Sequence, residues 1–269
     1  MEKPRLGFVG AGNMAEALIR GLIQSGVAAP EAIIASDVSA ERRAHVAESY
    51  GVRVTESNEE VMRVAPVVVL AVKPQGMESI VKPLAEASKG RLIVSIAAGI
   101  RLAQLEDWLG ADRAIVRTMP NTPALALAAM SVLCPNGVCS KGDVEEATGI
   151  FSAVGDAVVL ENEDFLDAVT ALSGCGPGYI FEILDALGEG GARLGLPAAL
   201  AGRLALQTLL GSAKLAKETG RSPAELRNMV SSPGGATVAG LEALERGNLR
   251  ATLMAALEAA AKRSKELSS

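Results

Sequence analysis

The sequence predicts an α/β protein in which helices cover both faces of a mostly parallel, doubly wound sheet and an all-helical part follows. Up to about residue 160, short β-branched runs alternate with helical periodicity, which is typical of a parallel sheet with crossover helices. The run at residues 67–72 is apolar throughout, as a strand buried on both faces should be. After about residue 162 the strand-like runs stop and helical patterns remain.

The first part contains a series of short candidate strands with helical stretches between them. The clearest helical patterns cover residues 15–24, 40–50 and 102–109. The predicted strands are residues 6–9, 32–36, 52–54, 67–72, 92–96, 114–118, 130–134 and 157–160.

The later part shows helix boundaries in its sequence. Ser222, Pro223 and Glu225 form a capping-box pattern at a helix start, and Gly220 is placed to end the helix before it. The charged run at residues 262–266 predicts a solvated end. We therefore predict two domains, residues 1–161 with the sheet and residues 162–269 all helical.

Composition excludes several classes of protein. The formal net charge is −5, so there is no basic field that would hold a nucleic acid backbone. Charged residues interrupt the most apolar later stretch, which predicts no membrane span. The three cysteines have no metal-ligand spacing, so we expect no metal site and no disulfide framework. With no separate apolar segment near the first strand, these features predict a cytoplasmic protein.

A glycine-rich turn follows the first predicted strand. The segment GFVGAGNMA gives the pattern G-x-G-x-x-A with Gly10, Gly12 and Ala15. Gly10 permits a tight turn, Gly12 lets the backbone approach a pyrophosphate, and Ala15 allows close packing of helix on strand. The helix N-terminus then attracts the diphosphate. This context predicts a Rossmann-type dinucleotide-binding domain.

The end of the second strand bears on the choice between NAD and NADP. Asp37 is placed where an acid reads the free ribose 2′-hydroxyl of NAD. Ser36 with Arg42 or Arg43 would instead receive the 2′-phosphate of NADP. Both alternatives stay open, and the predicted cofactor is NADP or NAD in its reduced form.

Two further strand ends should face the same crevice. The fourth strand leads into Ala71, Val72, Lys73 and Pro74, with Lys73 a candidate hydrogen-bond donor to the cofactor. The next strand leads into the small residues Ala97, Ala98 and Gly99, which leave room for a flat ring.

A second glycine-rich helix entrance lies in the helical part. The run SSPGGAT at residues 231–237 exposes backbone N–H groups with little side-chain bulk, which is typical of an anion-binding nest. Because the first turn already accounts for the cofactor diphosphate, this second nest predicts a substrate that carries a carboxylate.

The scarcity of histidine and lysine limits which acid–base groups the reaction can use. The single histidine, His45, lies in the helix after the second strand, and no lysine occurs between Lys141 and Lys214. A hydroxy-acid dehydrogenase that uses histidine or lysine as its acid–base is therefore disfavoured. An imine needs less help, since it is electrophilic once protonated, and a hydroxyl such as Thr237 or water then suffices for the proton.

Over essentially its whole length the chain resembles the pyrroline-5-carboxylate reductase family. The resemblance rests on GFVGAGNMAEALIRGL, AVKPQ, RTMPNTP, ALSGCGPGYIFEILDALGEGGARLGLP and SSPGGATVAGLEALERG. It implies reduction of 1-pyrroline-5-carboxylate to L-proline, the last step of proline biosynthesis. Asp37 departs from relatives that prefer NADP and carry a basic or small residue there.

The resemblance also implies the residues of the site. Thr237 would lie near the ring nitrogen as the proposed proton donor, and Glu163 would approach the substrate. The implied substrate residues are Glu163, Ser232, Gly234, Gly235, Ala236 and Thr237. The predicted cofactor residues are Gly10, Ala11, Gly12, Asn13, Met14, Ala15, Ser36, Asp37, Asn58, Ala71, Val72, Lys73, Pro74, Ala97, Ala98 and Gly99.

Members of the family pair their helical domains, so the resemblance implies a homodimer and allows a higher oligomer of dimers. A helical part rich in Ala, Gly and Leu suits such a dimer, because alone it would expose a large apolar patch. Two alternatives to the reductase remain: a two-domain hydroxy-acid dehydrogenase, and a non-catalytic nucleotide-binding relative. An intact SSPGGAT loop disfavours the second, since a sensor has no need of it.

Overall fold

A computed structural model describes residues 4–267 of the chain. Within these residues, eight strands form one sheet in the order β3-β2-β1-β4-β5-β6-β7-β8. The strands are β1 Leu6–Val9, β2 Ile33–Ser36, β3 Arg53–Thr55, β4 Val67–Leu70, β5 Leu92–Ser95, β6 Ala114–Met119, β7 Ala129–Pro135 and β8 Gly155–Val159.

The helices connect these strands and then make up the rest of the chain. They are α1 Asn13–Gln24, α2 Ala40–Tyr50, α3 Asn58–Val64, α4 Met77–Val81, α5 Leu102–Leu109, α6 Lys141–Ser152, α7 Leu166–Val169, α8 Gly176–Arg193, α9 Ala198–Thr219, α10 Pro223–Met229, α11 Ala236–Arg246 and α12 Leu249–Leu267. Short 3-10 turns cover Pro30–Ala32, Lys82–Leu84, Thr122–Ala126 and Glu163–Phe165, and a π-helical turn covers Thr170–Gly174.

The predicted fold class is confirmed. Every predicted strand is present, shifted at its ends by no more than two residues, and α2 and α5 have the predicted bounds. Pairing is parallel except between β6 and β7, which are antiparallel. Apolar clusters cover both faces of the sheet, with Phe8 and Val69 on one face and Ile34 and Val68 on the other. This two-sided burial explains why the central strands are continuously apolar.

The chain divides into two compact units. The first contains residues up to Cys175 together with the end of α12 from Ala260, and the second contains residues from Gly176 to Ala259. The predicted boundary at residue 162 stays a prediction, because compactness describes packing and not the extent of a domain. No helix among residues 4–267 combines the length and apolarity that a membrane crossing requires.

The second unit has little core of its own. Among its residues the buried apolar side chains are Ala201 and Ala205, on α9. Helices α8 and α9 pack closely through small residues, since a Cβ built on Gly191 would lie 2.9 Å from the Ala201 Cβ. The capping box predicted at Ser222 is present, with Ser222 and Glu225 each accepting a hydrogen bond from the backbone of the other.

Candidate functional site

Neighbouring strands end together at the edge of the sheet where the chain reverses its direction of winding. Strand β1 lies between β2 and β4, so the crossover direction changes there, and ligands of open α/β sheets bind at such a point. Val9 is paired with Ser36 on one side and with Leu70 on the other, and Leu70 is paired with Ser95. The register therefore brings the segments that follow these four strands to one edge.

The glycine-rich turn has the geometry that its sequence predicts. Gly10 adopts φ +95°, and a Cβ added there would lie 2.8 Å from the backbone oxygen of Ala71, so a side chain does not fit. Gly12 is the N-cap of α1 with φ −68° and no side chain capping the helix. A Cβ added at Gly12 would meet nothing within 4 Å. The space beside Gly12, at the start of α1, is therefore open.

Asp37 holds the glycine-rich turn in place. One carboxylate oxygen accepts a hydrogen bond from the backbone N–H of Ala11 (3.0 Å), and the other accepts one from Ser39 (2.9 Å). Ser36 is fully buried, and its hydroxyl donates to the amide oxygen of Asn58 (2.7 Å). The two predicted cofactor residues Ser36 and Asn58 are therefore in contact with each other, with Asn58 nearer the surface.

Glu16, in the first turn of α1, is a residue of this site that the sequence motifs did not predict. Partial burial of Glu16 pushes the pKa of its carboxyl up, but hydrogen bonds with His45, Tyr50 and Arg42 outweigh it and hold the pKa at about 2. Arg42 bonds to Glu16 and also, through Nε, to the backbone oxygen of Ala11. Helix α2 is thereby tied to both α1 and the glycine-rich turn.

Arg42 and Arg43, the two candidates for binding a ribose 2′-phosphate, have different partners in this network. Arg42 is engaged by Glu16 and by the turn. Arg43, also on α2, instead extends its guanidinium to the end of β2 and donates to the backbone oxygens of Asp37 (2.7 Å) and Val38 (3.2 Å). Its Nη2 atom is 3.7 Å from a carboxylate oxygen of Glu56.

The ends of β4 and β5 complete the edge. Ala71 donates its N–H to the backbone oxygen of Val9 (2.8 Å), which fixes the start of the segment that contains Val72, Lys73 and Pro74. The Lys73 side chain is exposed. After β5, Ala97 is buried and Ala98 is exposed, while Gly99 has φ +81°.

The loop predicted to bind a carboxylate precedes α11 in the second unit. Gly234 has φ +68°, and the Gly235 N–H donates to the backbone oxygen of Ser232 (2.9 Å). A Cβ on Gly235 would lie 2.4 Å from the Ser232 Oγ and 3.0 Å from the Ser232 backbone oxygen, so a side chain there would crowd the turn. Gly235 is the N-cap of α11, no side chain caps the helix there, and Thr237 is exposed in its first turn. This uncapped N-terminus can accept an anion.

Glu163 has partners within the first unit. Its Oε1 atom accepts hydrogen bonds from Nη1 of Arg117 (2.6 Å) and from the backbone N–H of Leu102 (2.8 Å). Nε of Arg101 lies 3.6 Å from its Oε2 atom. The predicted approach of Glu163 to the substrate stays a prediction.

Asn121, in the RTMPNTP segment, is a second residue that the sequence analysis did not single out. Its amide nitrogen donates to the backbone oxygen of Ser173 (3.2 Å), and its amide oxygen accepts from the N–H of Met130 (3.0 Å). The position of Asn121 between Pro120 and Pro123 was the only sequence feature that could have drawn attention to it. Among residues 4–267 no group of three or more His, Cys, Asp or Glu side chains is arranged to hold a metal ion.

Comparison with known proteins identifies the family. Residues 163–267 match the family described as pyrroline-5-carboxylate reductase dimerisation, and residues 5–99 match the family described as coenzyme F420-dependent NADP oxidoreductase. A pyrroline-5-carboxylate reductase of Pseudomonas aeruginosa is 48% identical over 99% of this chain and 98% of its own length. The chain belongs to the pyrroline-5-carboxylate reductase family. The resemblance inferred from the sequence motifs is confirmed.

Further relatives extend this family membership to distant organisms and to solved structures. The Arabidopsis thaliana reductase is 46% identical over 99% of this chain and 96% of its own length. A reductase structure from Coxiella burnetii has a TM-score of 0.94 at 39% identity, and one from Plasmodium falciparum with NADP bound has 0.89 at 32%. Each of the two covers 100% of both chains. The match of residues 163–267 to a dimerisation family indicates that this chain forms a homo-oligomer.

Proposed function

We propose that this chain reduces 1-pyrroline-5-carboxylate to L-proline, with NADPH or NADH as the hydride donor. The observation that carries the proposal is the presence of two glycine-rich helix N-termini without capping side chains, at Gly12 and at Gly235. The first suits the diphosphate of a dinucleotide, and the second suits the carboxylate of the substrate. The reductases of Pseudomonas aeruginosa and Arabidopsis thaliana, which are 48% and 46% identical over 99% of this chain, support the same reaction.

The edge of the sheet fits a nicotinamide dinucleotide. The open space beside Gly12 and the close backbone approach at Gly10 are what a bound pyrophosphate requires. When bound, the cofactor supplies the hydride. We assign its contacts to the glycine-rich turn, the end of β2 with its neighbour on α3, and the segments after β4 and β5: Gly10, Ala11, Gly12, Asn13, Met14, Ala15, Ser36, Asp37, Asn58, Ala71, Val72, Lys73, Pro74, Ala97, Ala98 and Gly99.

The loop before α11 holds the substrate carboxylate in this proposal. Ser232, Gly234, Gly235, Ala236 and Thr237 supply the ligands, and the helix dipole of α11 adds a favourable field for the negative charge. A net charge of −5 provides no general attraction for an anion, so these local donors must do the binding.

The reaction needs one hydride and one proton. Hydride adds to the carbon of the C=N bond, the π electrons become the nitrogen lone pair, and the ring nitrogen receives a proton. The hydroxyl of Thr237 is the proposed donor, and it recovers its proton from solvent because the side chain is exposed. Water in place of Thr237 would satisfy the same balance.

The functional unit is a homodimer formed through the helical second part, in the cytoplasm. Many large apolar side chains of the second unit are exposed in the single chain, among them Phe181, Leu194, Leu206 and Leu210. A high number of exposed large apolar side chains on one unit is typical of an interface. Pairing of two such units would bury these side chains, and dimers could associate further into a higher oligomer.

The test is oxidation of NADPH, and separately of NADH, by the purified protein on addition of 1-pyrroline-5-carboxylate. Formation of L-proline in amounts equal to the cofactor oxidised is expected. The ratio of the two rates reports how Asp37 and Arg43 read the ribose. Folded protein that binds nucleotide but oxidises neither cofactor would contradict the proposal.

A further inference from the structure

Arg117 is a buried cation within the sheet. It lies on β6, where only 5% of the residue is exposed, and it is paired in register with Ser95 at the end of β5. Its Nη1 atom is 2.6 Å from Oε1 of Glu163, whose side chain is 16% exposed. A charge buried to this extent requires a partner, because removing one member of such a pair leaves the other uncompensated.

The same Glu163 oxygen also binds the start of a helix. It accepts the N–H of Leu102, the first residue of α5, at 2.8 Å. A carboxylate is favoured there because the first N–H groups of a helix have no intrahelical partner and carry a partial positive charge. One carboxylate therefore joins β6 to the N-terminus of α5.

The segment between β5 and α5 is short, and both of its ends are fixed by these contacts. It begins after Ser95, which is buried beside Arg117, and it ends at Leu102, which is bonded to Glu163. Ala97, Ala98 and Gly99 lie between these points. We propose that Glu163 is a positioning residue that, together with Arg117, sets the place of residues 97–99 against the nicotinamide. This inference rests on the proposed function, which assigns those residues to the cofactor.

The first test is Glu163→Gln, which keeps the shape and removes the charge. We expect the Kd for NADPH, measured by direct fluorescence titration, to rise about tenfold, because charge-assisted hydrogen bonds that fix the segment are weakened. The KM for 1-pyrroline-5-carboxylate should stay within about twofold of the original, since this proposal gives Glu163 a role toward the cofactor segment in place of the substrate contact that the family resemblance implies. A raised KM for the imine with an unchanged Kd for NADPH would overturn the proposal in favour of direct substrate contact.

Asp164→Asn is the matched control. Asp164 is the next residue along the chain and pairs with Arg101 (2.6 Å), but its side chain is 73% exposed and it does not contact Arg117. The same change in charge is made one residue away, so the Kd for NADPH should change by less than about twofold, as for a surface ion pair. A rise equal to that of Glu163→Gln would overturn the assignment to Glu163.

A second variant separates positioning from folding. The double variant Glu163→Met, Arg117→Met removes both buried charges together. Its free energy of unfolding should therefore be higher than that of Glu163→Gln, which leaves Arg117 without a counter-ion. The Kd for NADPH should remain raised, because methionine at residue 163 offers the Leu102 N–H no acceptor. Recovery of both stability and affinity would show a structural role alone and would overturn the proposal. Because NADPH binding is read without turnover, failure here is distinguishable from failure of the proposed reaction.

Discussion

Replacing Gly12 with alanine should abolish most cofactor binding and leave the fold unharmed. In the free protein the new Cβ meets nothing within 4 Å, and φ −68° is allowed for alanine. Alanine reduces the freedom of the unfolded chain but is a poorer N-cap than glycine, so the free energy of unfolding should change by less than about 1 kcal/mol. The methyl group instead occupies space that the pyrophosphate needs.

The loss of affinity can be estimated from the hydrogen bonds at stake. A hydrogen bond to a charged group contributes about 1.5–3 kcal/mol, so loss of one raises the Kd roughly tenfold to a hundredfold. The assay is urea unfolding with and without NADPH at a concentration of about 100 times the original Kd, where the unchanged protein gains about 2.7 kcal/mol. At the same concentration the Gly12→Ala protein should gain only about 0.4–1.4 kcal/mol.

Gly10→Ala is the matched comparison within the same turn. Its Cβ would lie 2.8 Å from the backbone oxygen of Ala71, and φ is +95°. We expect a loss of about 1–3 kcal/mol from the strained backbone even without cofactor. Full stabilisation of Gly12→Ala by NADPH would contradict this role of Gly12. Destabilisation of the free protein as large as that of Gly10→Ala would contradict it too.

Three further predictions concern packing, pH and the proton. Gly21→Ala should lower the free energy of unfolding by about 1–3 kcal/mol with an unchanged KM for NADPH, because its Cβ would lie 2.4 Å from Val154 Cγ1; equal urea midpoints would contradict this. The pKa of Glu16 falls from 4.5 to about 2 on folding, so its stabilisation is present above pH 4.5 and disappears as the pH falls toward 2. The stability difference between the unchanged protein and Glu16→Gln, from urea titrations, should therefore shrink across that window, and a constant difference would argue against it. Thr237→Ala should lower kcat by about a hundredfold while Thr237→Ser retains most of it; unchanged turnover at saturating substrate would assign the proton to water.

Local patterns account for most of the fold. Alternation of β-branched runs and helical periodicity located every strand. The central strands were the clearest, because they are buried on both faces and are therefore apolar along their whole length. The direction of β7 could not be predicted in this way, since a strand pattern is the same whichever way the strand runs. The return of residues 260–267 to the first unit was also missed. Ser264 within that charged run is buried and bonded to Asp167, a partner 97 positions away in the sequence.

In the candidate site, too, features set by neighbouring residues could be predicted from the sequence, and contacts between residues far apart in the chain could not. The glycine-rich turn was predictable because glycine at Gly10 and Gly12 reflects backbone needs that are local. The partners of Arg42 and Glu163 were not, because each bonds to atoms far away in the chain. A charged residue inside the apolar run of β6 was the one local sign that Arg117 needed a counter-ion.

Transfer of deuterium from the reduced cofactor to proline is the decisive test of hydride transfer by this chain. Protein, 1-pyrroline-5-carboxylate and NADPH that carries deuterium at C4 of the reduced nicotinamide are incubated, and the L-proline formed is analysed by mass spectrometry and NMR. The proposal predicts one deuterium, from one face of the nicotinamide, on the carbon that belonged to the C=N bond. Proline without deuterium from either C4-labelled form of the cofactor, or no proline at all, would contradict hydride transfer by this chain.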